Sequence, residues 1–254
     1  MITSAALFCH TFCRVAFRSF FPLFWELLSM STANVIVNAG NFFASDAAER
    51  LAASDLFSAA ELSEKFEQLC EHFERHHAHL NDDATAAQVG FFLVNRALHI
   101  LGYTHSHNEP LGEELRIEYT LFNSADAFLA HVANRGSNAF FNGAVGIAKV
   151  AAWAANLDEN VKNDDGSACD PPAYEIDEQM KATNIQFAIL TNGRIWRLFH
   201  KNTVAMLNTF FEIDLLQILE NRDTDNFKIF VNAFSAKSIS FDKSGSCPNK
   251  KLLA

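Results

Sequence analysis

Residues 185–200 read Ile185-Gln186-Phe187-Ala188-Ile189-Leu190-Thr191-Asn192-Gly193-Arg194-Ile195-Trp196-Arg197-Leu198-Phe199-His200. Two apolar runs rich in β-branched and aromatic residues flank Asn-Gly, the pair that most readily supplies the positive φ angles of a two-residue hairpin turn. The stretch predicts strands over 185–190 and 194–200 with a turn at Asn192-Gly193. Successive side chains of a strand point to opposite faces, so Trp196 and Phe199 are expected to pack on opposite sides of the sheet.

Working outward, Phe210 to Ile213 reads as a short strand, followed by helices near 215–220 and 225–236. On the other side, Pro172 to Thr183 has proline in the first turn of a helix, where its missing N–H does no harm. Asp158 to Pro172 is polar, contains Asp164-Asp165-Gly166 and reads as a loop. Ala144 to Val150 is an apolar strand carrying Lys149 near its end. Ser124 caps a short helix through Val132. In Leu115–Phe122 the period is two: Leu115, Ile117, Tyr119 and Leu121 are expected on one face, Arg116, Glu118 and Thr120 on the other. Upstream, Leu51, Leu56, Leu62, Phe66, Leu69 and Phe73 recur at helical spacing through residues 46–80. A second helix, capped by Asn81-Asp82-Asp83, carries Val89, Leu93, Ala97 and Ile100 and ends at Gly102. After Ser240 the pattern dissolves. The order of elements predicts an α/β fold, a central mixed sheet flanked by helices, with an N-terminal helical segment (46–101) preceding an α/β core (112–236).

The chain has 254 residues, of which 49% are hydrophobic and 20% charged, which excludes a disordered or fibrous protein. Phe occurs 25 times, about one residue in ten, an excess that suggests either a well-filled core or a stretch never selected as protein. Twenty Lys and Arg against thirty Asp and Glu leave a formal charge of -10. Such a balance disfavours general nucleic-acid binding, yet a local field or a bound metal can still serve a nucleic-acid enzyme. The cysteines Cys9, Cys13, Cys70, Cys169 and Cys247 are odd in number and scattered, so a reducing, cytoplasmic setting is expected. Residues 1–29 hold Phe8, Phe12, Phe17, Phe20, Phe21 and Phe24. Arg14, Arg18 and Pro22 interrupt them short of the ~20 apolar residues a membrane span needs. They read as a leader or a start assigned too early, outside a domain running from Met30 to Ala254.

Four groups of residues bear on chemistry. His72, His76 and His79, with His77 beside them, share a helix face, but without HExxH they read as a solvated face. Gly143-Ala144-Val145-Gly146-Ile147-Ala148-Lys149 lacks the order of a phosphate-binding loop. The cysteines show no partner for nucleophilic catalysis. Glu118 and Lys149, on neighbouring strands, would suit a site that holds Mg²⁺ and activates water against a phosphodiester; an unrelated surface pair is the alternative.

Phe187 to His200 resembles the ILTNG-x-x-W-R-L-Y hairpin of restriction endonuclease domains in fused type IIG restriction–modification enzymes and related type I subunits. Phe210-Phe-Glu-Ile-Asp-Leu215 is similar to the family's F-Y-E-V-D-L, and Asp82 to Tyr103 to its opening helix ending in L-G-W/Y. Glu118-Tyr-Thr-Leu-Phe122 resembles P-D-Y-A-L-F. Ala148-Lys149, Trp153 and Leu157-Asp158 resemble E-A-K-x-W-x-x-x-L-D. The likeness covers residues 80–236 in the family's order. It implies a restriction-endonuclease-like fold of the PD-(D/E)xK type, with double-stranded DNA as substrate and Mg²⁺ as cofactor. It implies Glu118 as metal-binding catalytic acid and Lys149 as the residue that positions the attacking water. The middle acid falls on Ile147. Pro-Asp has become Ile117-Glu118, two extra residues separate Lys149 from Trp153, and the family's Q-x-x-x-Y appears as Glu175-x-x-x-Gln179. These departures imply a weakened or inactive nuclease, unless Asp158 or Glu159 reaches in, and Ile147→Glu is the change expected to rebuild metal binding. The alternative is a catalytically dead module that contacts DNA or another protein, or the relic of a truncated gene. The family's methyltransferase and specificity regions would lie on another chain.

Overall fold

In the computed structural model, residues 34–112, 115–158, 171–242 and 244–254 are described. Expectations for residues 1–29, for the loop after Asp158 and for Glu159 therefore lie outside the described residues. Residues 35–254 form one compact unit. Its centre is an open seven-stranded sheet in the order β1-β7-β6-β5-β4-β3-β2. The strands are β1 (Ile36–Ala39), β2 (Thr104–Leu111), β3 (Leu115–Phe122), β4 (Gly146–Val150), β5 (Phe187–Thr191), β6 (Ile195–His200) and β7 (Phe210–Asp214). Every neighbouring pair is antiparallel except β4 and β5. Parallel neighbours need a long crossover, and here it carries the helix Pro172–Thr183.

Helices cover both faces. One face is packed by α1 (Ala47–Ala52), α2 (Ala59–His76), α3 (Ala86–Val89) continuing through a π-helical turn (Gly90–Val94) into α4 (Asn95–Ile100), and later by α7 (Leu215–Asn221), α8 (Thr224–Phe234) and α9 (Ala236–Ile239). The other face lies under α5 (Ala125–His131), a 3-10 segment (Asn138–Gly143) and α6 (Pro172–Thr183). The hairpin alternates between them: Trp196 and Leu198 enter the first cluster and Phe199 the second. Trp196 meets Phe230 and Phe234 edge-on, with centroids 5.4 and 6.1 Å apart. Ten phenylalanines are among the largest fully buried side chains of the described residues, so much of the Phe excess fills this core.

The structure corrects several local expectations. The amphipathic stretch 46–80 is two helices, because Ser58 and Glu61 form a reciprocal capping box that starts α2 afresh. The next helix is capped by Thr85 with Gln88 in the same way, not by Asn81-Asp82-Asp83. At the hairpin turn only Gly193 has positive φ, +86°; Asn192 instead accepts from the amides of Arg194 and Ile195 through its own Oδ1. This is a side-chain-closed turn rather than the two-residue form. Beyond Ser240 the described residues hold to the domain: the Phe43–Leu253 bridge and the Ala44 N–H to Leu252 O bond (2.8 Å) dock the C-terminal residues on the segment after β1. The edge strands β1 and β2 were not expected. Thr104-His-Ser-His-Asn-Glu-Pro-Leu111 has little apolar period, and its pairing with β3 makes it a strand.

Candidate functional site

β3 changes face in its middle. Leu115 and Ile117 pack with the α6-side cluster, whereas Tyr119 and Leu121 belong to the opposite one. The break falls at Glu118, where Asn108 on the paired strand adopts φ +53° and the two residues drop out of the ladder. The single apolar face read from the sequence is therefore divided, and Thr120, expected on a polar face, is buried.

That break exposes a use for Glu118. Tyr119 pairs with Ala148 and Thr120 with Ile147, but β3 and β4 do not pair beyond this point. The Glu118 carboxylate takes over, accepting the Val150 N–H at 3.0 Å. Burial pushes its pKa up from the ordinary carboxylate range; the Val150 amide and the Lys149 ammonium oppose this, and the Glu175 carboxylate adds to it. Lys149 leaves β4 on the same face and is ion-paired to Glu175 Oε2 at 2.5 Å. One helical turn on, buried Gln179 donates from Nε2 both to Glu175 Oε1 (3.1 Å) and to the Arg116 carbonyl (3.0 Å). An i, i+4 spacing puts both residues on one helix face, so α6 presents them together to the end of β3.

Glu118, Lys149, Glu175 and Gln179 thus converge, two of them the expected site residues and two noticed only as departures from a motif. Ile147 is fully buried in the apolar cluster that holds Ile117 and Ile176, not at a polar edge. Asp158 is engaged in a two-pronged pair with Arg197, at 2.7 and 3.0 Å. Arg197 also pairs with Glu212 directly across the ladder, and its guanidinium lies 4.1 Å from the Phe210 ring centre. Arg197, Glu212 and Asp158 thus bring together three stretches that lie far apart in the sequence. The turn brings in a fourth: a Cβ placed on Gly193 would lie 2.8 Å from Val89 Cγ1 and 3.1 Å from the ring of Trp153, which belongs to the stretch of Asp158. Asn192 also donates to the Ala155 carbonyl at 2.9 Å.

Mg²⁺ typically takes one or two carboxylates and keeps several waters. Glu118 and Glu175 form a donor set of that kind, with Lys149 beside them. No group of three or more His, Cys, Asp or Glu side chains arranged to hold a metal occurs among the described residues. The histidine face, expected to be solvated, is partly packed: His72 Nε2 is bound to the Phe92 carbonyl, and His76 and His79 lie against the Phe92 ring. Cys70 and Cys247 are buried free thiols whose acidity is suppressed by burial, Cys70 up to about 11. No helix among the described residues is long and apolar enough to cross a membrane. Comparisons with protein-family models, with curated proteins and with solved structures give no match to this chain.

Proposed function

We propose that the chain is a restriction-endonuclease-like domain that hydrolyses double-stranded DNA slowly with Mg²⁺, acting in the cytoplasm beside a methyltransferase or specificity region on another chain. The observation that carries this reading is the convergence of Glu118, Lys149 and Glu175 at the break between β3 and β4. Glu175 from α6 supplies the carboxylate that Ile147 cannot. Bound Mg²⁺ would polarise the phosphoryl oxygens and lower the pKa of attacking water. Lys149 donates a hydrogen bond that orients that water, and Gln179 holds Glu175 in place. The meeting of four of the family-like stretches around Gly193 and Arg197 supports the same reading.

The test is nicking of supercoiled plasmid by the purified full chain with Mg²⁺ or Mn²⁺. Slow nicking is expected, lost in Lys149→Ala and in Glu175→Gln. Ile147 in the apolar core favours a second reading, a dead module that binds DNA without cutting it. Retained DNA binding with no nicking in either metal would establish that reading instead.

A further inference from the structure

A cleft of about 370 Å³ lies between α2, the Leu101-Gly102 turn and α9. It is at the far end of β3 from Glu118, roughly 16 Å along the strand at ~3.3 Å per residue, and owes nothing to the site above. Its distinctive feature is a pair of lysines over one ring. The Lys237 ammonium sits 4.2 Å and the Lys65 ammonium 5.3 Å from the centre of buried Phe57. The cleft's one carboxylate, Glu61, is largely engaged elsewhere: its Oε2 accepts from the Ser58 amide and hydroxyl, both at 2.8 Å, to close the capping box of α2. Only its Oε1 faces Lys237, at 3.8 Å. Lys65 is half buried and also reaches the Ile100 carbonyl. Burial first, and the nearby Lys237 second, make it easier to deprotonate than an ordinary lysine.

In a chain of net charge -10, this cleft presents two ammonium groups and one partly diverted carboxylate; Glu64, which also acts on Lys65, lines the neighbouring cleft instead. Asn123 and Ser240 add neutral hydrogen-bonding groups at its wall. The wall continues: a second cleft of about 430 Å³ shares Asn123 and runs past Phe241 to Asn142, Asn184 and Gln186. A cationic end joined to an amide-lined extension matches a phosphate group carried on a polar organic body.

We propose that the cleft at Lys65, Lys237 and Phe57 binds a phosphate monoester, the phosphate lying between the two ammonium groups. A free nucleotide and the phosphorylated end of a DNA strand share this chemistry. The test follows the lysine side-chain resonances of the full chain during titration with inorganic phosphate, with ionic strength held constant by chloride. A saturable shift of two lysines is expected. Lys237→Gln, at an exposed position, should weaken it roughly tenfold or more, the loss expected for one charge-assisted hydrogen bond. Glu61→Gln keeps the cap acceptor and should tighten binding. A nucleoside 5′-monophosphate and a 5′-phosphorylated oligonucleotide then separate the two sources, each against its unphosphorylated counterpart. A non-saturable shift, a shift unchanged by Lys237→Gln, or equal binding of the unphosphorylated compounds would overturn the proposal.

Discussion

The Glu118 carboxylate stands where the β3 backbone would otherwise accept from Val150, at 3.0 Å from its amide. A side chain has replaced a ladder bond, and this holds an acid in a half-buried place it would not otherwise occupy. Because burial raises the folded-state pKa of Glu118, its ionisation weakens the fold. Its stability contribution is complete below the unfolded pKa and is lost as pH rises through the folded value. Glu118→Gln keeps an acceptor for Val150 without the charge. It should therefore be more stable than wild type at pH 7–8, by on the order of 1 kcal/mol. The gap should close as pH falls toward 4. Urea midpoints across that range check this, and a variant less stable at neutral pH would contradict it.

Ile147→Glu, which the motif alone marks as a repair, is expected to harm the protein. The side chain belongs to a dry cluster with Ile117 and Ile176, and burying a carboxylate there costs several kcal/mol. Denaturant unfolding should show a loss of about 3 kcal/mol or more, without gain in Mg²⁺ affinity by calorimetry.

Gly193 has both the wrong φ for a side chain and no room for one. Gly193→Val should lose roughly 2–5 kcal/mol, combining backbone strain with overpacking against Val89 and Trp153. A near-neutral result in equilibrium unfolding would mean that the turn and its neighbours relax freely.

Arg197 is 6% exposed and lies between two carboxylates of unequal burial. Arg197→Met should cost about 3–5 kcal/mol, since it strands Glu212. Asp158→Asn should cost under ~1 kcal/mol, because Asp158 is mostly in water. Equal losses in the two variants would show that Asp158 is the stronger partner.

Acid should unfold the domain through histidines held neutral. Burial lowers His105 and His200 to about 4 each, with His107 and His99 adding to the effect at His105 and Lys250 at His200. A depressed histidine pKa means that the unfolded chain binds more protons. Stability is complete above the unfolded value near 6.5 and falls as pH drops toward 4. Unfolding at pH 5 should take up protons, and His105→Gln with His200→Gln should flatten the decline between pH 6.5 and 4.

The hairpin at 185–200, β3, β4, β7 and the crossover helix were legible in the sequence because each carries its own period and its own stop signals. Trp196 and Phe199 parted to opposite faces as strand geometry requires. Two capping boxes, Ser58 with Glu61 and Thr85 with Gln88, were equally local and could have placed the helix starts correctly. Glu118 and Lys149 were nameable in advance, since an acid and a lysine on adjacent strands is a pattern in one dimension. Tertiary structure decided the rest. β1 and β2 are strands only because β7 and β3 offer their edges, and no residue in Thr104–Leu111 announces that partner. The change of face at Glu118 depends on Asn108, ten residues away on another strand. Glu175 meets Lys149 only after a crossover folds α6 back over the sheet. Leu190 sits beside Lys149, and Arg197 between Leu190 and Glu212, because strand register lines them up. A side chain's neighbours along the chain follow from periodicity, whereas its neighbours across a sheet follow from register, which is settled when all the strands pack together.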